Sequence, residues 1–286
     1  MLVSLLSLKG SPGVSTLATA VAARWPAAAR AVLVEADPSG GDLTLRFSLS
    51  STPGLVSWAA AARRAGDDPD LVWRHTQQLP GGLTVVAASP DAEQARAALT
   101  ALAPDPASGL GGLRAAAGQP DTVVVVDCGR LDPGSPALPI VRASDAVVLL
   151  TGAGADDLAH LPRRLPVISR WSPSPMLLLV GDGYSTTEVA RELGVPPWGR
   201  VPHDPKGAAV LRGQRGSSRW RRTGPGRSAL GRFALQLATE LAARHEPSTP
   251  PQEHQDPAVS PAAVVDAARV GSARDVDLAH PGGQQA

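Results

Sequence analysis

Residues 9–16, KGSPGVST, put a lysine, two glycines and a closing pair of hydroxyls, Ser15 and Thr16, directly behind the apolar run LVSLLSL. A strand that feeds a glycine-bearing turn and then opens a helix aims several backbone N–H groups and a positive helix end at one point. That arrangement holds phosphate without many charged side chains. Lys9 is one of only two lysines in the chain, the other being Lys206. The segment reads as a nucleotide-phosphate cradle.

Two carboxylates complete the chemistry such a cradle needs. Asp37 follows the apolar run in VLVEADPSGGDL, residues 32–43, inside a glycine-rich turn. Strand ends at the carboxyl edge of a parallel sheet are where such sheets bind ligands. Asp127 follows five strand-forming residues in TVVVVDCGRL, residues 122–131. A carboxylate there can accept hydrogen bonds from the water shell of a Mg²⁺ whose inner ligands are phosphate oxygens and a loop hydroxyl. A standard phosphate loop ends in Gly-Lys-Ser/Thr, whereas here Val14 separates Gly13 from Ser15. A charged hydrogen bond to phosphate contributes about 1.5–3 kcal/mol, so the substitution is costly unless another cation compensates. Pro12 removes one N–H donor from the loop, and Ser11 stands where glycine adopts positive φ more easily. Arg130, just behind Asp127, is a candidate replacement cation.

KGSPGVST resembles the deviant phosphate loop of the ParA/MinD family, KGGxGKT, keeping its signature lysine, outer glycines and hydroxyls and departing at Ser11, Pro12 and Val14. The resemblance implies ATP and Mg²⁺ as cofactors. It assigns nucleotide contact to Lys9, Gly10, Ser11, Pro12, Gly13, Val14, Ser15 and Thr16, and metal contact to Ser15, Asp37 and Asp127. Asp37 would orient the attacking water, with Glu35 replacing the first aspartate of the family's D-x-D-P loop. Lys9 would act catalytically across a nucleotide-dependent homodimer. The GGDL continuation resembles the branch that includes Flp/Tad pilus-assembly ATPases. GRVPHD, residues 199–204, resembles the family's late strand, so Pro202 and Asp204 would lie near the adenine, although Gly181 and Asp182 stand where an asparagine often reads the base. Three functions follow. The first is a slow ATPase switch that positions or regulates a cellular machine or DNA. The second is a non-hydrolysing scaffold that binds protein partners. The third is an ATP-dependent carboxylate-activating synthetase on the same fold.

The elements that position these residues are legible in the apolar pattern. Runs at residues 2–8, 31–35, 83–87, 122–126, 146–151 and 176–180, with a weaker one at 198–201, lack alternation, as strands buried on both faces do. Helical patterns cover 15–25, 92–103, 185–193 and 228–245. The expected fold is α/β: a mostly parallel, doubly wound sheet flanked by helices, of the P-loop NTPase type, over residues 1–245. Residues 246–286, rich in Pro, Gln and Ser, are expected to form a disordered acidic tail.

Charge and composition narrow the partners. The net charge of +1 conceals a local +8 over residues 205–245 and −4 over 246–286. Arginines from Arg212 to Arg232, with Trp220 among them, suit nucleic acid, an anionic surface or a protein partner. The acidic terminus lacks the basic amphipathic helix that targets some family members to membranes. One cysteine, Cys128, precludes an internal disulfide, and no stretch has the roughly 18 apolar residues of a membrane span, so a cytoplasmic protein is expected. His203 and the other histidines have no partner pattern and read as surface residues.

Overall fold

Strand β1 (Leu2–Ser7) is buried along its whole length at the centre of an eight-stranded sheet. The computed structural model describes residues 1–10, 12–26, 28–65, 68–102, 111–168, 170–172, 174–214 and 225–245. The other strands are β2 (Arg30–Glu35), β3 (Gln77–Gln78), β4 (Thr84–Val86), β5 (Thr122–Arg130), β6 (Ala146–Gly152), β7 (Ser174–Val180) and β8 (Gly199–Val201). Their spatial order is β3-β4-β2-β5-β1-β6-β7-β8, parallel throughout except for the β3–β4 pair. Continuous Val/Leu runs form these strands because both faces are covered. Val3, Leu5, Val123, Val125, Val148 and Leu150 pack on one side, and Leu2, Leu6, Val124, Val126, Val147 and Leu149 on the other.

The first layer is built on α1 (Val14–Ala23), α2 (Leu43–Phe47), α11 (Pro205–Leu211) and α12 (Ala229–His245), whose Leu17, Leu43, Leu211 and Leu237 are buried. The opposite layer takes α3 (Leu55–Ala65), α4 (Leu71–Arg74), α5 (Ala92–Leu102), α6 (Gly111–Ala117), α7 (Leu138–Ala143), α9 (Leu161–Ile168) and α10 (Thr186–Leu193), anchored by Trp58, Leu99, Leu113 and Ile140. A short α8 (Ala155–Leu158) follows β6. The expected α/β architecture is therefore present. Met1–Pro247 is one compact unit. The expected tail, residues 246–286, lies outside the described residues, as do Arg215, Arg219, Trp220, Arg221 and Arg222 of the arginine segment.

This topology places the chemistry. β1 pairs with β5 on one side and β6 on the other, and the chain winds in opposite directions from there, leaving a crevice at the carboxyl ends of β1, β5 and β2. Asp127 and Glu35 are register partners on neighbouring strands, and Ser7 pairs with Arg130. β5 extends to Arg130, four residues beyond the expected strand, so Asp127 lies within it rather than at its tip. Among the described residues no helix is long and apolar enough to cross a membrane.

Candidate nucleotide-phosphate site

The turn after β1 reaches α1 through Gly10 at φ 69° and Gly13 at φ 95°, both left-handed conformations that glycine adopts without strain. Gly13 is the N-cap of α1 and no side chain caps the helix. The first-turn N–H groups therefore remain available at the mouth of a 450 Å³ cavity that Gly10, Gly13, Val14, Ser15 and Thr16 line. Val14 is 5% exposed and belongs to the core beneath the loop. Ser11 lies outside the described residues.

Opposite the loop stand the carboxylates. Asp127 is 2% exposed; its Oδ1 accepts the Gly129 N–H at 3.0 Å and its carboxylate interacts with the Ser15 hydroxyl. Burial raises its pKa to about 6 against those two interactions. Asp37 lines the same cavity, takes the Ser39 N–H at 2.8 Å, and presses its carboxylate over Gly129. Burial raises its pKa too. The structure thus brings Ser15, Asp37 and Asp127 together around Gly129.

Glu35 secures the loop that carries Asp37. Its Oε1 accepts the N–H groups of Asp42 (2.9 Å) and Leu43 (3.0 Å), and its Oε2 that of Ala88 (3.0 Å). Burial and the neighbouring Asp127 raise its pKa to about 7, with the three backbone bonds opposing the shift. The Glu35 carboxylate therefore acts as an anchor for the start of α2.

Other expected residues go elsewhere. The Lys9 ammonium donates to the Asp156 carbonyl at 2.9 Å and meets His160 Nε2 at 3.4 Å, on α8 and the turn behind it, and it does not line the cavity. A second cavity of 510 Å³ shares Gly13, Thr16 and Arg212 with the first and is bordered by Pro12, Pro202 and Asp204. The Asp204 carboxylate is engaged in capping: it accepts the Gly207 N–H at 2.9 Å and the Leu230 N–H at 3.1 Å, starting α11 and α12. Gly181 and Asp182 border this cavity, as does His203, exposed as the sequence pattern implies. Cys128 is buried with its thiol pKa pushed far up, which suits packing and not nucleophilic chemistry.

Two contributors carried no sequence signal of this role. Ser7 ends β1, is 1% exposed, lines the phosphate-side cavity, and its Oγ has no hydrogen-bond partner. A polar residue closing an apolar strand was its only mark. Arg46, on α2, lines the cavity beside Arg130 and Arg212. Its spacing of four from Asp42, with which it pairs, was visible but pointed only to a helix-surface ion pair.

An uncapped helix end, an orphaned buried hydroxyl, cations on the cavity wall and a Ser–Asp pair fit a phosphate chain with its divalent cation. Among the described residues no group of three or more His, Cys, Asp or Glu side chains is disposed to hold a metal by itself. A cation here would rely on Ser15 and phosphate oxygens, with Asp127 behind them.

No family model matches this sequence, and no curated protein is significantly similar to it. Solved structures match the fold. A ParA family ATPase from Chlorobium tepidum TLS superimposes with a TM-score of 0.64 at 17% identity, over 83% of this chain and 98% of that one. The septum site-determining protein MinD complexed with Mg-ADP, from Pyrococcus horikoshii OT3, gives 0.62 at 16% identity over 86% and 99%. Cobyrinic acid a,c-diamide synthase from Mycobacterium smegmatis, with bound ATP analog and magnesium, gives 0.55 at 19% identity over 86% and 95%. The chain has the fold of these ATP-handling proteins.

Proposed function

We propose that this protein is a nucleotide-switched, ATP- and Mg²⁺-binding protein of ParA/MinD type with a deviant phosphate loop, hydrolysing ATP slowly and acting as a nucleotide-dependent homodimer that positions or regulates a cellular machine or DNA. The observation that carries the reading is the cavity at the uncapped start of α1, on which Ser15 interacts with the buried Asp127 and Asp37 is held over Gly129. Two of the structural neighbours were solved with Mg-ADP or with an ATP analog and magnesium, which supports the choice of cofactors. The GGDL sequence that starts α2 favours the pilus-assembly branch of the family, with a cytoplasmic protein cargo or regulator.

In this reading the N–H groups of residues 13–16 hold phosphate oxygens, and Ser15 turns its hydroxyl from Asp127 towards the cation. Mg²⁺ would supply charge neutralisation between the outer phosphates. Asp127 orients the cation's water shell, and Asp37 orients a water for attack. Lys9, exposed at the loop's edge, is free to leave its Asp156 carbonyl for a partner's nucleotide. Pro202 and Asp204 shape the base end, Asp204 by fixing the two helix starts. Val14 keeps a second reading in play: without the loop lysine the same site would bind nucleotide and never turn over, serving as a scaffold.

Nucleotide binding with and without Mg²⁺, followed together with oligomeric state in wild type and Lys9→Ala, tests the proposal. Mg²⁺-dependent binding of ATP and an ATP-dependent dimer lost in Lys9→Ala are expected. Absence of ATP binding overturns it. Phosphate release that disappears in Asp37→Ala excludes the scaffold.

A further inference from the structure

Val14 stands where a standard phosphate loop carries its lysine, yet the cavity is not short of positive charge. Three guanidinium groups border it from three separate elements: Arg46 from α2, Arg130 from the end of β5 and Arg212 from the end of α11. Arg46 pairs with Asp42. Among the described residues, neither Arg130 nor Arg212 makes an ion pair. Arg130 interacts with Asp37 and Arg46 with Asp127 at longer range, both lowering the carboxylate's pKa, so the cations face the side of the cavity where the carboxylates stand. Like charges gathered on one cavity repel one another until an anion joins them.

The placement is built into the fold. Arg130 is in register with Ser7, the last residue of β1 and the one with the unpartnered buried hydroxyl. Gly213, at φ 77°, lies so close under α2 that an added methyl would sit 2.5 Å from the Arg46 carbonyl oxygen. The end of α11 and the end of α2 are therefore packed backbone to backbone, which fixes Arg212 beside Arg46.

We propose that Arg46, Arg130 and Arg212 form a guanidinium collar that binds the outer phosphates of a nucleoside triphosphate in place of the loop lysine. This rests on the nucleotide reading above and specifies its ligand: a chain of three phosphates, because the collar faces Asp37 and Asp42, and only Arg212 also borders the base-side cavity. Planar guanidinium groups suit phosphate, each donating to two oxygens where lysine meets one as a point charge.

Binding of ATP, ADP and inorganic tripolyphosphate in Mg²⁺ buffer, by calorimetry on the full chain, tests this in wild type, Arg46→Gln, Arg130→Gln and Arg212→Gln. Arg191→Gln, on the exposed face of α10, is the control. Each collar variant is expected to weaken ATP and tripolyphosphate roughly 10- to 150-fold and ADP less, with the control unchanged. If wild type binds neither ATP nor tripolyphosphate, the nucleotide reading itself falls. If it binds both and the three collar variants bind as wild type, the collar falls and the nucleotide reading stands. Should a glutamine variant lose its cooperative unfolding transition, the salt dependence of wild-type tripolyphosphate binding decides. A steep loss of affinity with salt supports the collar, and a flat response overturns it.

Discussion

Gly129 lies against both carboxylates, Asp37 and Asp127, and Gly129→Ala should separate them. Its N–H donates to Asp127 Oδ1, and a methyl on its α-carbon would lie 1.9 Å from Asp37 Oδ2 and 2.1 Å from Asp37 Cγ. Non-bonded carbons rest about 3.5–4 Å apart, so the carboxylate must retreat by more than about 1 Å. A displacement of that size costs on the order of 100-fold in rate where the group orients a reactant. The backbone adds its own term, because φ is 56° and an L side chain there costs about 1–2 kcal/mol. In a domain of this length that lowers the melting temperature by about 2–8 °C. The clash term is separable from the backbone term by a double-mutant cycle with Asp37→Ala, which removes the atoms the methyl meets. Chemical denaturation of the four proteins should show that Gly129→Ala costs more in the wild-type background than beside Asp37→Ala. Mg²⁺-dependent phosphate release should fall in both single variants. Effects on stability additive to within about 0.5 kcal/mol, with phosphate release intact in Gly129→Ala, would refute the contact and the role of Asp37 together.

Gly213→Ala should push α11 from α2 and weaken tripolyphosphate binding while leaving α1 untouched, since the added methyl meets the Arg46 carbonyl at 2.5 Å and the Phe47 ring at 3.3 Å; calorimetry with unchanged affinity would contradict this. Ser7→Ala removes a buried hydroxyl with no partner and should stabilise the ligand-free protein by about 1 kcal/mol or more in urea, while lowering phosphate affinity if the cavity is used as proposed. Glu35, at about 7 in the fold against 4.5 unfolded, holds extra proton in the native state between those values, so the metal-free protein should lose stability as pH rises from 4.5 to 7, by up to roughly 3 kcal/mol for this group. Glu35→Gln should flatten that slope in chelator-containing buffer, and it should also be less stable at pH 5, because the amide cannot accept all three N–H bonds; a wild-type stability that climbs from pH 5 to 8 would oppose the argument.

The sheet was readable because its strands are buried on both faces, which writes them as unbroken Val/Leu runs. β3 was not, since two glutamines at an edge leave no pattern, and α2, five residues long, is too short for periodicity to reveal. The glycines and hydroxyls of the loop, with Asp37 and Asp127, were legible because their chemistry is local and ordered along the chain. The cations were not. Arg130 stood out beside Asp127, but Arg46 and Arg212 reach the cavity only through the packing of α2 on α11, and that contact is set by Gly213, a residue with no side chain to signal it. Lys9, conspicuous in sequence, takes a local carbonyl instead of its own cavity, because a long exposed side chain settles on the nearest acceptor.

Moving the cation off the loop changes what phosphate binding requires. A lysine in the loop travels with the N–H groups it assists and is in place whatever the surrounding segments do. Arg46 follows the Asp37 turn on a short helix whose start hangs from Glu35 and whose end leans on Gly213. On the proposed collar, neutralising the outer phosphates requires that α2, the β5 tip and α11 be set together, so the ligand stabilises the one arrangement in which all three arginines face it. On that collar, Val14 leaves phosphate binding answerable to three separate segments rather than to the loop alone.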